Sequence, residues 1–217
     1  TDGLEGVGVA KFQDTKAPTL ELLTADNILT RNPRFEVKAL VADDSPVTVI
    51  LKQNGLEISR TTQYEASFVA TLTEGNNIFE ITAVDRSGNQ SLPANLSNIK
   101  LDTTPPVITR TRPVSDDIYT NILPISVEVI ASTNEPVSQS TLNGNAIAIS
   151  PDQKTLQTQI QLAEAKSYGL IFSSTDLAGN EGHLTSQVNL IFDNVAPIVA
   201  IGGVPSLTKD TQVQIPI

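Results

Sequence analysis

Hydrophobic and polar positions alternate along most of this chain. Phe35, Val37, Ala39 and Val41 stand two residues apart, with Glu36 and Lys38 between the first three. A period of two places them on one face of a β-strand. The same alternation runs through Phe68, Ala70 and Leu72, through Phe79, Ile81 and Ala83, and through Ile99 and Leu101. About ninety residues later it returns. The second set is Ile125, Val127, Val129 and Ala131, then Thr158, Ile160 and Leu162, then Leu170, Phe172 and Ser174, then Leu190 and Phe192. Asn54-Gly55, Asn143-Gly144, Gly75-Asn76-Asn77 and Ser87-Gly88-Asn89 separate the runs. Asn and Gly accept positive φ and close hairpins. Ala163-Glu164-Ala165-Lys166 is helix-friendly but short, and it aligns with the Glu74-Gly75 turn. The pattern predicts an all-β chain without helices.

The repeat is also written in two phrases. Asp14-Thr15-Lys16-Ala17-Pro18 returns as Asp102-Thr103-Thr104-Pro105-Pro106 and as Asp193-Asn194-Val195-Ala196-Pro197, at spacings of 88 and 91 residues. Asp85-Arg86-Ser87-Gly88-Asn89 returns as Asp176-Leu177-Ala178-Gly179-Asn180, 91 residues on. Self-similarity at a fixed period means an array of like modules. Proline ends a ladder and stiffens a joint, so the Pro-bearing phrase marks the boundaries. Residues 14–101 are the first module and 102–192 the second. Residues 1–13, with Val7, Val9 and Phe12, read as the last strand of a preceding module. Residues 193–217 read as the start of a further one, where Leu207-Thr208-Lys209 mirrors Leu29-Thr30-Arg31. About seven short strands per module predicts tandem immunoglobulin-like β-sandwiches with partial modules at both ends. Each module is expected to run about 35–40 Å. Two readings of the ends stand: an excerpt of a longer array, or terminal strands that pair with other copies through exposed edges.

Composition narrows the function. Apolar residues make up 39% and aromatic residues 4%, enough for small, lean cores. No apolar run is long enough to span a bilayer, so no direct membrane insertion is expected. With no Cys, disulfides, thiolate zinc sites and a cysteine nucleophile are excluded. With no Met and no leader pattern, the chain reads as a piece of a longer, mature protein. A net charge of −10 argues against nucleic acid or anionic lipid as partner, and suits a soluble rod or one that collects cations.

In a sandwich of this topology, the start of the first strand, the loop after the second and the loop before the last meet at one pole. That predicts a group of Asp14, Asp43, Asp44 and Asp85, with Asn89, in the first module. The second module's group is Asp102, Glu135 (beside Asn134) and Asp176, with Asn180. Calcium takes about 6–8 oxygen ligands, so Ca2+ at the module junctions is one expectation. The other is that Asp and Asn cap their own backbone while Gly88 and Gly179 permit tight turns. Asp116-Asp117, with Asp26 as counterpart, is expected as a solvated turn at the opposite pole. Ser173, Asp176 and His183 spell a triad on paper, but no nucleophile elbow surrounds any Ser, so His183 is expected in an exposed loop. Tyr64, Tyr119 and Tyr168 fall at different module positions, and there is no Trp to stack on sugars. Gly6-x-Gly8 and Gly202-Gly203 lack the basic partner and helix of a phosphate loop. No catalytic or cofactor-binding residue is expected, and the chain is read as non-enzymatic.

Taken together, Asp102 to Pro106 opening a module, Asn143-Gly144, the run Glu74 to Asp85 and the closing Ser87-Gly88-Asn89 resemble bacterial immunoglobulin-like repeats. Such repeats are seen beside catalytic domains such as glucodextranase and in large surface adhesins. The resemblance covers nearly the whole chain, and departs from it at Ala165-Lys166-Ser167, where the first module has Gly75-Asn76-Asn77. It implies a stalk or adhesive fibre in an exported bacterial surface or secreted multidomain protein. Its partners would be neighbouring modules and a host, prey or matrix surface protein or glycan. Some long adhesins of this kind stiffen their joints with calcium. Two other roles stay open: accessory modules of a carbohydrate-active enzyme, decided by the sequence beyond either end, and a filament subunit built by β-strand exchange, decided by concentration-dependent assembly.

Overall fold

A computed structural model describes residues 14–199 as seventeen β-strands, with no helix among the described residues. The strand expected in 1–13 and most of the start of a module expected in 193–217 lie outside them. The first eight strands are β1 (Thr19–Leu22), β2 (Ile28–Thr30), β3 (Arg34–Ala42), β4 (Val47–Gln53), β5 (Leu56–Thr61), β6 (Glu65–Thr71), β7 (Gly75–Asp85) and β8 (Ala94–Leu101). They form a β1-β3-β6 sheet and a β2-β8-β7-β4-β5 sheet. Then follow β9 (Ile108–Arg112), β10 (Asp117–Thr120), β11 (Ile125–Thr133), β12 (Val137–Leu142), β13 (Asn145–Ala146), β14 (Ala148–Ile149), β15 (Thr155–Leu162), β16 (Ser167–Asp176) and β17 (Glu181–Phe192). These build a β14-β15-β11-β9 sheet and a β10-β17-β16-β12-β13 sheet. The result is two immunoglobulin-like sandwiches in tandem, the fold class that the alternation predicts. All pairings are antiparallel except β2 with β8 and β10 with β17.

The inward faces are those that period two selects. Phe35, Val37, Ala39 and Val41 of β3 are buried with Val49 and Leu51 of β4 and Phe79, Ile81 and Ala83 of β7. The Phe35 and Phe79 rings stack at 5.6 Å. A separate core gathers Val129, Ala131, Leu156, Leu162, Leu170, Phe172, Val188 and Leu190. Phe192 departs from its expected inward place and is 42% exposed, where β17 runs out at the pole. Both predicted tight turns have left-handed central pairs, Asn54 (φ 52) with Gly55 (φ 84) and Asn143 (φ 50) with Gly144 (φ 80). That is the geometry of a two-residue hairpin.

One inward position breaks the pattern. Leu20 and Leu22 pack against the first core. At the same offset in the second sandwich, Ile108 is buried and Arg110 takes the place of Leu22. The Arg110 side chain is only 12% exposed, and its Nη2 pairs with Asp116. Asp116 is exposed in the bend before β10, as its sequence suggests, and is also the ion-pair partner of Arg110. Its counterpart Asp26 accepts from the N–H groups of Asn98 (2.9 Å) and Ser97 (3.2 Å) and so ties the β1–β2 connection to β8. Arg110 Nη1 is shielded and has no hydrogen-bond partner. A desolvated donor left unmatched costs free energy that an apolar side chain avoids. Arg110→Leu is expected to stabilise the second sandwich by about 1–2 kcal/mol, read by urea unfolding. A loss of stability would mean that the Asp116 pair outweighs its desolvation.

Candidate cation sites at the sandwich poles

Asp14 precedes β1, Asp43 follows β3 and Asp85 ends β7, so three separate segments meet at one pole. One carboxylate oxygen from each lies within 4.8 Å of the others, and Asp102, Glu135 and Asp176 do the same in the second sandwich. Asp44 does not join its group. Its side chain is 89% exposed and pairs with Lys16 Nζ at 3.3 Å, because the residue after Asp43 turns away from the pole.

The turns that carry Asp85 and Asp176 share one bonding scheme. Asn89 N–H donates to Asp85 Oδ1 and Asn89 Nδ2 to Asp85 Oδ2, both at 2.7 Å. Asn180 repeats both bonds to Asp176 at 2.8 Å. Each Asn then reaches one segment further: Nδ2 of Asn89 donates to the Asp14 carbonyl (2.9 Å) and Nδ2 of Asn180 to the Asp102 carbonyl (2.8 Å). Gly88 (φ 93) and Gly179 (φ 97) supply the left-handed step of the turn. Asp85 and Asp176 thus cap their own turns, and the capping aims them at the other two acids. Capping and a candidate cation site thus share the residues Asp85 and Asp176.

Electrostatics separate the members. Burial pushes the Asp85 and Asp176 carboxyls up, but the hydrogen bonds from Asn89 and Asn180 and their turn N–H groups prevail and hold both below the ordinary carboxylate range. Each therefore contributes stability that is present above that range and lost as pH falls through the lowered value. Glu135 behaves oppositely: burial first, then the charges of Asp102 and Asp176, raise it. Its ionisation costs stability as pH rises through that window. Glu135→Gln is accordingly expected to raise the melting temperature of the second sandwich in EDTA near neutral pH. The gain should vanish in acid, where Glu135 is already protonated; calorimetry at the two pH values checks both.

Asp43 Oδ1 accepts from the N–H and hydroxyl of Ser45, both at 2.7 Å. Its Oδ2 is shielded from solvent and has no hydrogen-bond partner. Buried acceptors are normally satisfied. A group of three neighbouring carboxylates could hold a hard divalent cation, which would offset their mutual repulsion.

The paper triad does not assemble. Ser173 and His183 sit opposite each other across β16 and β17, while Asp176 is buried and held by Asn180. His183 lies on a strand rather than in the expected loop, exposed, with Nε2 3.9 Å from Glu181 Oε2. The hydroxyls of Tyr64 and Tyr168 donate to the backbone at Ser45 (2.8 Å) and Glu164 (3.0 Å), and Tyr119 stands alone on the surface. No helix among the described residues is long and apolar enough to cross a membrane.

No family model and no curated protein matches the sequence. Among solved structures it is similar to the fibronectin(III)-like modules of Clostridium thermocellum CbhA, at 16% identity over 38% of this chain and 96% of that one, with a TM-score of 0.35. It is similar to a three-immunoglobulin-domain fragment of titin at 12% identity, over 82% of this chain and 66% of that one, TM-score 0.43. It is similar to immunoglobulin domains 1–4 of Sidekick-1 at 13% identity, over 82% of this chain and 50% of that one, TM-score 0.43. The fold assignment rests on the strand order and register given above.

Proposed function

We propose that the chain is a non-catalytic stalk or fibre segment of an exported bacterial surface or secreted multidomain protein, with calcium at its sandwich poles. The observation that carries this reading is how tension enters and leaves each sandwich. Near its entrance, the chain pairs in parallel with its exit strand: Ile28–Thr30 with Ile99–Leu101, and Asp117–Thr120 with Asn189–Phe192. Pulling the two ends apart loads such a pair in shear, so its bonds break together rather than one at a time. The linker adds to this. Asp102 N–H donates to Thr30 O at 3.0 Å, and Glu74 accepts from the Thr103 N–H (3.2 Å) and hydroxyl (2.8 Å). Asp14, Asp43 and Asp85 would hold one cation, and Asp102, Glu135 and Asp176 the other.

The likeness to the bacterial immunoglobulin-like repeats of adhesins and of glucodextranase-type enzymes supports an extracellular setting. It also supports neighbouring modules, or a surface protein or glycan, as partners. Force spectroscopy on the full chain tests the mechanical reading. Two separate unfolding events are expected, the second sandwich yielding at the higher force because its parallel pair spans four residues against three. Yielding of both at forces typical of strand peeling overturns it. For the strand-exchange alternative, concentration-dependent assembly in sedimentation would favour a filament, and a monomer throughout would favour the stalk.

A further inference from the structure

The joint between the two sandwiches carries two basic groups from the first, Arg31 and Lys100. Arg31 follows β2 in the first sandwich, and its Nη1 donates to the carbonyl of Gly179 at 2.7 Å. The same guanidinium lies against the Gly179 backbone: a Cβ there would sit 3.7 Å from Arg31 Nε. Gly179 belongs to the turn that positions Asp176 and Asn180. Lys100, on β8, places Nζ 3.6 Å from Asp102 Oδ2 in the linker. Two cations from the first sandwich thus hold the acidic turn and the acidic linker residue of the second.

The repeat shows that neither cation is required by the fold. At the Lys100 position, two residues before the boundary aspartate, the chain has Phe12 and Ile191 at the other two phrases. At the Arg31 position, directly after the parallel strand, the second module has Asn121. Core and turn bonds recur in both sandwiches, whereas the Arg31–Gly179 bond links one to the other and Lys100 meets the linker residue Asp102 two positions along its own segment.

We propose that Arg31 and Lys100 form a basic clamp that fixes the orientation of the second sandwich on the first without any metal. This rests on the tandem reading of the chain; because Asp102 and Asp176 also belong to the acidic group, the clamp is tested with divalent ions removed. A guanidinium donating to a carbonyl is a charge-assisted bond with fixed geometry. The Lys100–Asp102 pair, whose lysine is half-exposed and 3.6 Å away, is weaker and screened by salt. The clamp therefore depends on ionic strength, with Arg31 as its main member.

The test is a distance distribution between the sandwiches, measured by paired spin labels on the full 217-residue chain in EDTA. The chain has no native Cys, so labels go to the exposed positions Gln63→Cys and Gln187→Cys. The labelled parent is expected to give a narrow distribution at low salt. Arg31→Gln should widen it by roughly twofold or more, Lys100→Gln by less, and molar salt should widen the parent. Unchanged melting of both sandwiches in the variants shows that a wider distribution reports the joint. Distributions for R31Q and the R31Q/K100Q double variant that coincide with the parent overturn the clamp. The EDTA result stands whether or not calcium binds, so its failure is distinguishable from failure of the cation sites.

Discussion

Millimolar calcium is expected to raise the melting temperature of the chain by about 10 °C or more, and equal magnesium to leave it nearly unchanged. A ligand present at about a hundred times its dissociation constant adds about 2.7 kcal/mol to the folded state. For a sandwich of this size each kcal/mol is worth about 4–8 °C. Calcium suits the site because three carboxylates leave room for carbonyls and water in a loose shell, whereas magnesium demands a tight octahedron and keeps its own water. Asp43→Asn should abolish the gain in the first sandwich and Glu135→Gln in the second. Asp85 and Asp176 are poorer probes, since each also caps a turn through its Asn, and their loss would cost stability in EDTA as well. An equal rise with magnesium, or with sodium chloride at matched ionic strength, would mean charge screening rather than a site.

Phe79→Ala is expected to destabilise the first sandwich by about 3–5 kcal/mol while leaving the second transition where it is. Phe79 is fully buried and stacked on Phe35, so truncation removes both its burial and its ring contact. A loss of that size is a large share of the stability of a small domain, about 5–15 kcal/mol. The second core is built around Phe172 and shares no residue with the first. Phe172→Ala should therefore give the mirror result. Calorimetry resolves the two transitions, and movement of both in either variant would mean that the sandwiches unfold as one unit.

The sandwich cores were legible because a half-buried strand writes its burial with period two, and Phe35 to Val41 or Phe79 to Ala83 contain little else. The poles were legible because the repeated Asp-x-x-Gly-Asn phrase fixes a turn, and strand topology places the first and third strands beside it. Three features were not. Asp44 reads like Asp43, and only the way the chain turns after β3 separates them. Arg110 sits where periodicity asks for an apolar residue, but nothing local reveals that Asp116 lies within its reach. Tyr168, just after the altered segment, replaces the chemistry of Asn77. Asn77 closes the first module's turn by accepting from Thr73 N–H (3.0 Å) and donating to Thr73 O (2.8 Å). The Tyr168 hydroxyl accepts from the N–H groups of Ala163 (3.2 Å) and Glu164 (3.0 Å) instead. The departure from the repeat at Ala165-Lys166-Ser167 is compensated by a side chain outside the altered segment.

Calcium titration calorimetry on the full chain, with Asp43→Asn, Glu135→Gln and the double variant beside it, decides whether the poles bind calcium. Each substitution is expected to remove one equivalent of bound calcium and the double variant both, with the sandwiches still folded. Binding by the double variant equal to that of the parent, or no calcium-specific heat from the parent, would contradict this. The acidic poles would then be turn caps, and the joint would depend on its linker and its basic clamp alone.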